Sequence, residues 1–442
     1  MSDFDTIIRG ATVVAAGEAT IADVGISGES FAAIGPDLAG STEVEIDASG
    51  KVLFPGLVDA HVHFNEPGRS EWEGFATGSA ALAAGGGTCF IDMPLNSAPP
   101  LLDVGAFEAK RHAGERRSRL DFALWGGLTP HSLANLAALA GCGVAGFKAF
   151  LCPSGLAEFE AADEATLREG MKISADLRLP VAVHAESPAA LAAHWEKFPP
   201  PSPGTMADWL ASRPVSAELA AIEMALACAR DTGCALHIVH ISSPEGVDLV
   251  TAAKREGIDV TAETCPHYLL LDAVMACEIG PAAKCAPPLR PAATVDGLWK
   301  SLAAGEIDTI GSDHSPAPPE LKQGNDFFAM WGGIAGAQHG FPLMIERAVR
   351  EASWPLLAAL VAGNPARRFG LGGRKGRVAG GWDADFCLLA ADESVIGRED
   401  LLSRHAISPY VGRRSGWRVA STWLRGEPVS PATSGRFLVP GR

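Results

Sequence analysis

Short β-branched apolar runs alternate with Ala-, Leu- and Glu-rich stretches between residues 52 and 315, and this alternation restricts the possible folds of the 442-residue chain most strongly. The pattern is typical of parallel strands joined by crossover helices. Eight such units fit a barrel of about 250 residues that closes on itself. We therefore predict an α/β fold, a (β/α)8 barrel of the TIM type, over residues 53–375. The eight strand candidates begin at Val52, Gly87, Asp121, Ala145, Leu179, Ala235, Asp259 and Thr309.

The two ends of the chain, residues 1–52 and 376–442, have a different pattern of short strand-like runs separated by Gly, Asp and Pro. Little helical periodicity is present there. We predict that the two segments pair into one small composite β-sandwich domain, with the barrel inserted between them. The alternative is two independent β-caps, each very small for separate stability.

Charge and composition narrow the classes of partner. Asp and Glu number 52 against 36 Lys and Arg, and the resulting net charge of -16 repels phosphate backbones and anionic lipid surfaces. The sequence has no signal-like start and no apolar run of membrane-spanning length. Nine scattered cysteines form no C-x-x-C pair, which disfavours a disulfide framework and a thiolate zinc finger. We expect a cytoplasmic protein with a small-molecule substrate and with neither nucleic acid nor membrane as partner.

Polar side chains follow several of the predicted strands. His61 and His63 end the first strand at a spacing of two, so both rings project to one side of an extended chain. Alone, such a pair is equally well explained as a solvated strand end. His184, His240 and Asp313, however, end the fifth, sixth and eighth strands. Since strand C-termini form the active site of this fold, the set favours a divalent metal such as zinc.

Lys148 ends the predicted fourth strand, where an unmodified ammonium would lie beside metal cations. A buried lysine with a depressed pKa becomes a nucleophile. Its reaction with carbon dioxide gives an N6-carboxylated side chain, which is an anionic bridge for two metals. The alternative is a lysine paired with a nearby Asp or Glu.

Two metals about 3.5 to 4 Å apart can convert a bound water to hydroxide and polarise a carbonyl. This favours hydrolysis, with Asp313 accepting the proton of the attacking water and delivering it to the departing nitrogen. The neighbouring His314 is expected to support the site from outside. The chain has no G-x-S-x-G elbow and no Walker phosphate loop, so serine hydrolase and nucleotide-binding interpretations are disfavoured.

The motifs PGLVDAHVHF with EPG, GFKAFL, HAE, HISS, ETCPHYL, IGSDHSP and NPARRFGL together resemble those of the cyclic amidohydrolases. This family contains dihydroorotases, hydantoinases, dihydropyrimidinases and allantoinases, and the resemblance covers nearly the whole chain. It implies two divalent metals, zinc or alternatively cobalt, manganese or nickel, and a homo-oligomer, either tetramer or dimer. It also implies that one metal binds His61, His63 and Asp313, that the other binds His184 and His240, and that carboxylated Lys148 bridges them.

Within the family the resemblance is closest to the allantoinases, through NEPGRSEWEGF, DMPLNSAPP, KAFLCPSG, DHSPAPPELK and MWGGIAG. Asn65 stands where similar dihydroorotases carry an arginine for a substrate carboxylate, and Pro153 stands where hydantoinases place a tyrosine. The resemblance therefore implies opening of the uncharged ring of allantoin to give allantoate. The alternatives are a hydantoinase- or dihydropyrimidinase-type cyclic amidase, and a non-catalytic scaffold protein, a class that usually lacks the metal ligands.

Allantoin carries a ureido arm, so its recognition needs amide-type donors and acceptors. Asn65, Asn96 and Ser154 are the candidates, with backbone contact at Ala286, where many relatives have serine. Each of the three polar residues is equally well explained as a cap of a turn or loop.

Overall fold

A barrel of parallel strands forms the centre of the molecule in the computed structural model, which describes residues 3–441. Strands β6 to β14 pair in parallel in chain order, and β8 and β9 are two parts of one strand, separated by Trp125. A bridge between Val62 and His314 joins the first strand to the segment after the last. The predicted (β/α)8 barrel is confirmed. The barrel strands are β6 (Leu57–Val62), β7 (Gly87–Asp92), β8 (Asp121–Leu124), β9 (Gly126–Gly127), β10 (Phe147–Phe150), β11 (Val181–His184), β12 (Leu236–Ile238), β13 (Val260–Thr264) and β14 (Thr309–Ile310).

Helices pack around these strands, and several begin at a side-chain cap. Asp103, Asp163 and Ser243 each accept a hydrogen bond from the first turn of the helix that follows. The helices are α1 (Phe75–Ala84), α2 (Val104–Arg117), α3 (Leu136–Cys142), α4 (Glu164–Asp176), α5 (Pro188–Lys197), α6 (Met206–Ser212), α7 (Val215–Thr232), α8 (Pro244–Arg255), α9 (Pro266–Leu270), α10 (Ala273–Ile279), α11 (Ala292–Ala303), α12 (Gly340–Glu351), α13 (Trp354–Ala358) and α14 (Asn364–Arg368). Among the described residues, no helix combines the length and apolar character that crossing a membrane requires.

Both chain ends contribute to a second, smaller β-domain, as predicted. Its strands follow the order β17-β16-β15-β5-β1-β2-β3, and β4 also pairs with β1. β4 and β5 pair with different parts of β1, so the sheet divides along β1. Apolar side chains such as Ile8, Phe31 and Phe386 form the core of this domain. The strands are β1 (Phe4–Ala15), β2 (Glu18–Ser27), β3 (Ser30–Gly35), β4 (Thr42–Asp47), β5 (Val52–Pro55), β15 (Phe386–Val395), β16 (Arg414–Leu424) and β17 (Glu427–Pro428).

The strand predicted from Val52 is in fact two strands. β5 pairs with β1 and β15 in the outer sheet, whereas β6 belongs to the barrel. The chain passes between them at Gly56, where a Cβ would collide with the side chain of Thr88. Apolar periodicity could not reveal this break, because both strands are buried along their whole length.

Buried charges connect the β-domain to the barrel. Lys375 Nζ donates to Asp121 at 2.6 Å and to Asp385 at 2.6 Å, and it lies 2.9 Å from Asp383. Arg425 also pairs with Asp121. The three carboxylates lie close enough together to hold a cation, but the ammonium of Lys375 already fills that place.

Candidate metal centre and active site

Three of the predicted metal ligands converge at the C-terminal end of the barrel. Nε2 of His61 lies 3.2 Å from Oδ1 of Asp313, and Nε2 of His63 lies 3.4 Å from the same oxygen. The donor atoms of these three residues lie within 4.8 Å of one another. Two imidazole nitrogens and a carboxylate oxygen at this spacing fit a divalent metal of zinc type.

The other two histidines form a second cluster beside the first. Nδ1 of His184 lies 2.9 Å from Nε2 of His240. The ring centres of His61 and His240 are 5.4 Å apart, so the two clusters are neighbours. Burial lowers the pKa of His240 well below its usual value, which favours the neutral imidazole that binds metals. The arrangement fits two adjacent cations.

Lys148 lies inside β10, two residues before its end, rather than at the strand end as predicted. Its side chain is fully buried, and Nζ lies 4.8 Å from the centre of the Phe150 ring. Nζ has no hydrogen-bond partner among the described residues, and none of their carboxylates forms an ion pair with it. Burial lowers the pKa of this amine to about 7. These surroundings disfavour the alternative of a paired lysine and suit an amine that reacts in its neutral form.

The Asp313 carboxyl is held in its ionised form. Its burial alone would raise the pKa, but His61, His63 and His240 outweigh that effect and hold the pKa well below its usual range. The backbone at Asp313 has φ 45°, and that at His240 has φ 42°. A non-glycine residue with this left-handed backbone raises the free energy of the fold by on the order of 1–3 kcal/mol. Such residues persist where the surrounding structure fixes them, often at functional sites.

Two buried glutamates that the sequence interpretation did not assign orient the histidines. Nδ1 of His61 donates to Glu263 at 2.6 Å, and Nε2 of His184 donates to Glu186 at 2.8 Å. The guanidinium of Arg213 also pairs with Glu186, at 2.5 Å. Each carboxylate fixes the tautomer of its histidine and leaves a lone pair on the other ring nitrogen. That nitrogen is the atom turned towards Asp313 in His61 and towards His240 in His184. A sequence signal existed for Glu186, which lies two residues after His184 in HAE, but the spacing of Glu263 gave none, because its partner His61 is distant in the chain.

Replacing Glu263 with glutamine is expected to weaken metal binding or activity by about 10- to 100-fold, because the amide orients the His61 ring less strongly. Metal affinity by competition with a chelator, together with turnover, measures the effect. Glu218→Gln is the matched control, since Glu218 is equally buried but accepts hydrogen bonds from Ser242 and Ser243 instead. Equal losses in both variants would contradict an orienting role for Glu263.

A cavity of about 380 Å³ opens over the four clustered histidines and Asp313. Its wall includes residues 328–333 of a segment that we call the mouth loop, residues 324–333. The volume is near the lower end of the range for small-ligand sites. The cavity is lined by His61, His63, Leu95, Asn96, Phe150, Pro153, Ser154, Gly155, His184, Trp209, Arg213, His240, Lys284, Cys285, Ala286, Asp313, Ser315, Phe328, Ala329, Met330, Trp331, Gly332 and Gly333.

Three of the four predicted substrate-contacting residues line this cavity, and one does not. Asn96 and Ala286 line it, and Asn96 Nδ2 lies 3.5 Å from Ser315 Oγ. Ser154 also lines it, but its hydroxyl donates to the Phe159 carbonyl at 2.7 Å, which agrees with the loop-capping alternative. Asn65 is fully buried outside the lining. Substrate contact by these four residues stays a prediction.

His314 is likewise placed outside the cavity lining. Its Nε2 lies 3.2 Å from a carboxylate oxygen of Glu73, and both side chains are buried. The carbonyl of His314 accepts a hydrogen bond from the backbone N–H of His63 at 2.8 Å. This residue therefore supports the backbone at the mouth of the barrel, consistent with its expected role.

Comparison with known proteins gives concordant matches along the chain. The model of the amidohydrolase family matches residues 52–429. An allantoinase from Rubrobacter xylanophilus is 49% identical, over 100% of this chain and 99% of the relative, and one from Deinococcus radiodurans is 50% identical over 96% and 95%. The solved L-hydantoinase (dihydropyrimidinase) from Arthrobacter aurescens has a TM-score of 0.93 at 33% identity and covers 99% of this chain and 98% of that chain. Dihydropyrimidinase from Brevibacillus agri has a TM-score of 0.90 at 29% identity, with 100% and 99% covered.

Proposed function

Because this chain belongs to the amidohydrolase family, we propose that it is a metal-dependent hydrolase that opens the hydantoin ring of allantoin to give allantoate. The observation that carries the proposal is the convergence of four histidines and Asp313 beneath a cavity sized for a small molecule. The choice of allantoin is supported by the allantoinases that match this chain at 49% and 50% identity over nearly its full length.

The metal centre that we propose contains two divalent cations, with zinc as the first candidate and cobalt, manganese or nickel as alternatives. When bound, the two ions activate the attacking water and polarise the ring carbonyl. His61, His63 and Asp313 would hold one ion, and His184 and His240 the other. Lys148 would bridge them as a carbamate, formed when its neutral amine adds to carbon dioxide and releases one proton.

Asp313 moves the proton in this proposal. The carboxylate is ionised at neutral pH and therefore has a free oxygen lone pair to accept a proton from the attacking water. It then delivers that proton to the ring nitrogen as the carbon–nitrogen bond breaks. The carboxylate lies against both His61 and His63, which fixes its position for the transfer.

The test is turnover of allantoin by purified, metal-loaded protein, measured as loss of the substrate and appearance of a carboxylate product. We expect allantoin to be hydrolysed with a higher kcat/KM than dihydrouracil or alkyl-hydantoins. No turnover of allantoin together with fast turnover of those compounds would reject the proposal.

A hydantoinase-type amidase with broader specificity is the second candidate. It is favoured by the solved hydantoinase and dihydropyrimidinase structures, which superpose with TM-scores of 0.93 and 0.90. Pro153 weighs against it: this residue lines the cavity, and the sequence resemblance implies a tyrosine at its position in hydantoinases. The same substrate series separates the two candidates. A homo-oligomeric state, tetramer or dimer, and a cytoplasmic location stay predictions of the sequence.

A further inference from the structure

Two buried lysines outside the metal centre contact the mouth loop. Only 2% of Lys284 and 7% of Lys322 is exposed. Neither ammonium forms an ion pair with a carboxylate in the described part of the chain. Burial lowers the pKa of each to about 8, and Lys322 adds to the shift of Lys284. Cations without a counter-charge are uncommon in protein interiors, so their placement calls for a specific set of acceptors.

The acceptors are backbone carbonyls, and most of them belong to the mouth loop. Lys284 Nζ donates to the carbonyl of Met330. Lys322 Nζ donates to the carbonyl of Gly333 at 2.7 Å and, more weakly, to that of Trp331 at 3.4 Å. The carbonyl of Lys284 also accepts from the N–H of Gly333 at 2.7 Å. Hydrogen bonds from a charged donor are stronger than those between neutral groups, so these contacts fix the loop backbone.

The same contacts fix side chains in the wall of the cavity. Lys284 Nζ lies 4.0 Å from the centre of the Trp209 ring, and that ring lies 5.6 Å from Phe328. All three side chains line the cavity. The loop backbone at Gly333 has φ 150°, a conformation that only glycine adopts readily. Because glycine restricts its own backbone little, the shape of the mouth loop there depends on tertiary contacts.

We propose that Lys284 and Lys322 are positioning residues that hold the mouth loop as a preformed wall of the substrate cavity. This inference rests on the proposed function only in taking the cavity as the substrate site. The lysines act through the loop, so they contribute to substrate capture and not to bond breaking. Loss of either donor is expected to raise KM about tenfold, as one charge-assisted hydrogen bond allows, and to change kcat much less.

The experiment compares hydrogen exchange of residues 324–333 in the metal-loaded wild type with exchange in Lys284→Met and Lys322→Met. Methionine is close to lysine in length but donates no hydrogen bond. We expect at least about tenfold faster exchange in this segment in both variants. Unchanged exchange in both would overturn the proposal. This readout needs no substrate, so it remains decisive even if allantoin is not hydrolysed.

Kinetics test the second half of the proposal, with whichever cyclic amide the wild type hydrolyses. A rise in KM with near-normal kcat supports it, whereas unchanged KM despite faster exchange would overturn the role in substrate capture. Lys254→Met is the control. Lys254 lies on α8, donates to the Glu306 carbonyl at 3.2 Å and pairs with Asp308, and within the described part of the chain it makes no hydrogen bond or ion pair with the mouth loop, so its loss should leave residues 324–333 protected. Lys322→Arg keeps a cationic donor and should retain most protection. The comparison of Lys322→Met with Lys322→Arg therefore tests the proposal even if Lys284→Met does not fold.

Discussion

Replacing Lys148 with alanine is expected to lower kcat by about 10³-fold or more and to reduce the metal content of the purified protein. The proposed bridge contributes the stabilisation that a metal pair gives to developing charge, which is several kcal/mol, and each factor of ten in rate corresponds to about 1.4 kcal/mol. The measurement is metal content by elemental analysis alongside steady-state turnover of the same preparation.

Two comparisons separate this effect from a simple loss of folding. Lys172→Ala changes an exposed lysine on α4 and should leave metal content and kcat unchanged. A thermal melt of metal-free Lys148→Ala against metal-free wild type tests the fold itself. Full metal occupancy with normal turnover in Lys148→Ala would show that the amine is not the bridge.

Replacing Asp313 with asparagine is expected to reduce kcat by about 10²- to 10⁴-fold, the range that a positioned acid–base group contributes. Asparagine keeps the shape and one oxygen of the side chain, so part of the metal is retained. It cannot accept and return a proton. The loss should therefore fall mainly on kcat, and single-turnover kinetics at known metal content measure it.

The matched control for this variant is Asp176→Asn, an exposed aspartate on α4 that should give wild-type turnover. An unchanged kcat in Asp313→Asn at full metal occupancy would remove Asp313 from the proton transfer. A loss that disappeared on adding excess metal would instead assign it a binding role alone.

The barrel and the convergence of its candidate metal ligands were predictable because they depend on periodicity. Buried parallel strands appear as apolar runs, and a polar residue at the end of such a run, as at His184, is conspicuous. His61 and His63 share a side of the chain by simple alternation. The composite β-domain followed from its different pattern of short strands and turns.

The rest depended on non-periodic segments. Sequence spacing does not reveal that Asn65 lies outside the cavity lining while Asn96 lies in it, because each has a left-handed backbone in a loop. The role of Glu263 required knowledge of which ring nitrogen it meets. The contacts of Lys284 and Lys322 with the mouth loop join segments whose relative placement only the folded chain sets.

The most direct test of the proposed binuclear centre is anomalous X-ray diffraction from crystals of the zinc-loaded protein. We expect two peaks about 3.5 to 4 Å apart, one among His61, His63 and Asp313 and the other beside His184 and His240. Density for a carboxylated Lys148 should lie between them. Absence of both peaks at full loading, or peaks only at the Asp121, Asp383 and Asp385 cluster, would contradict the account.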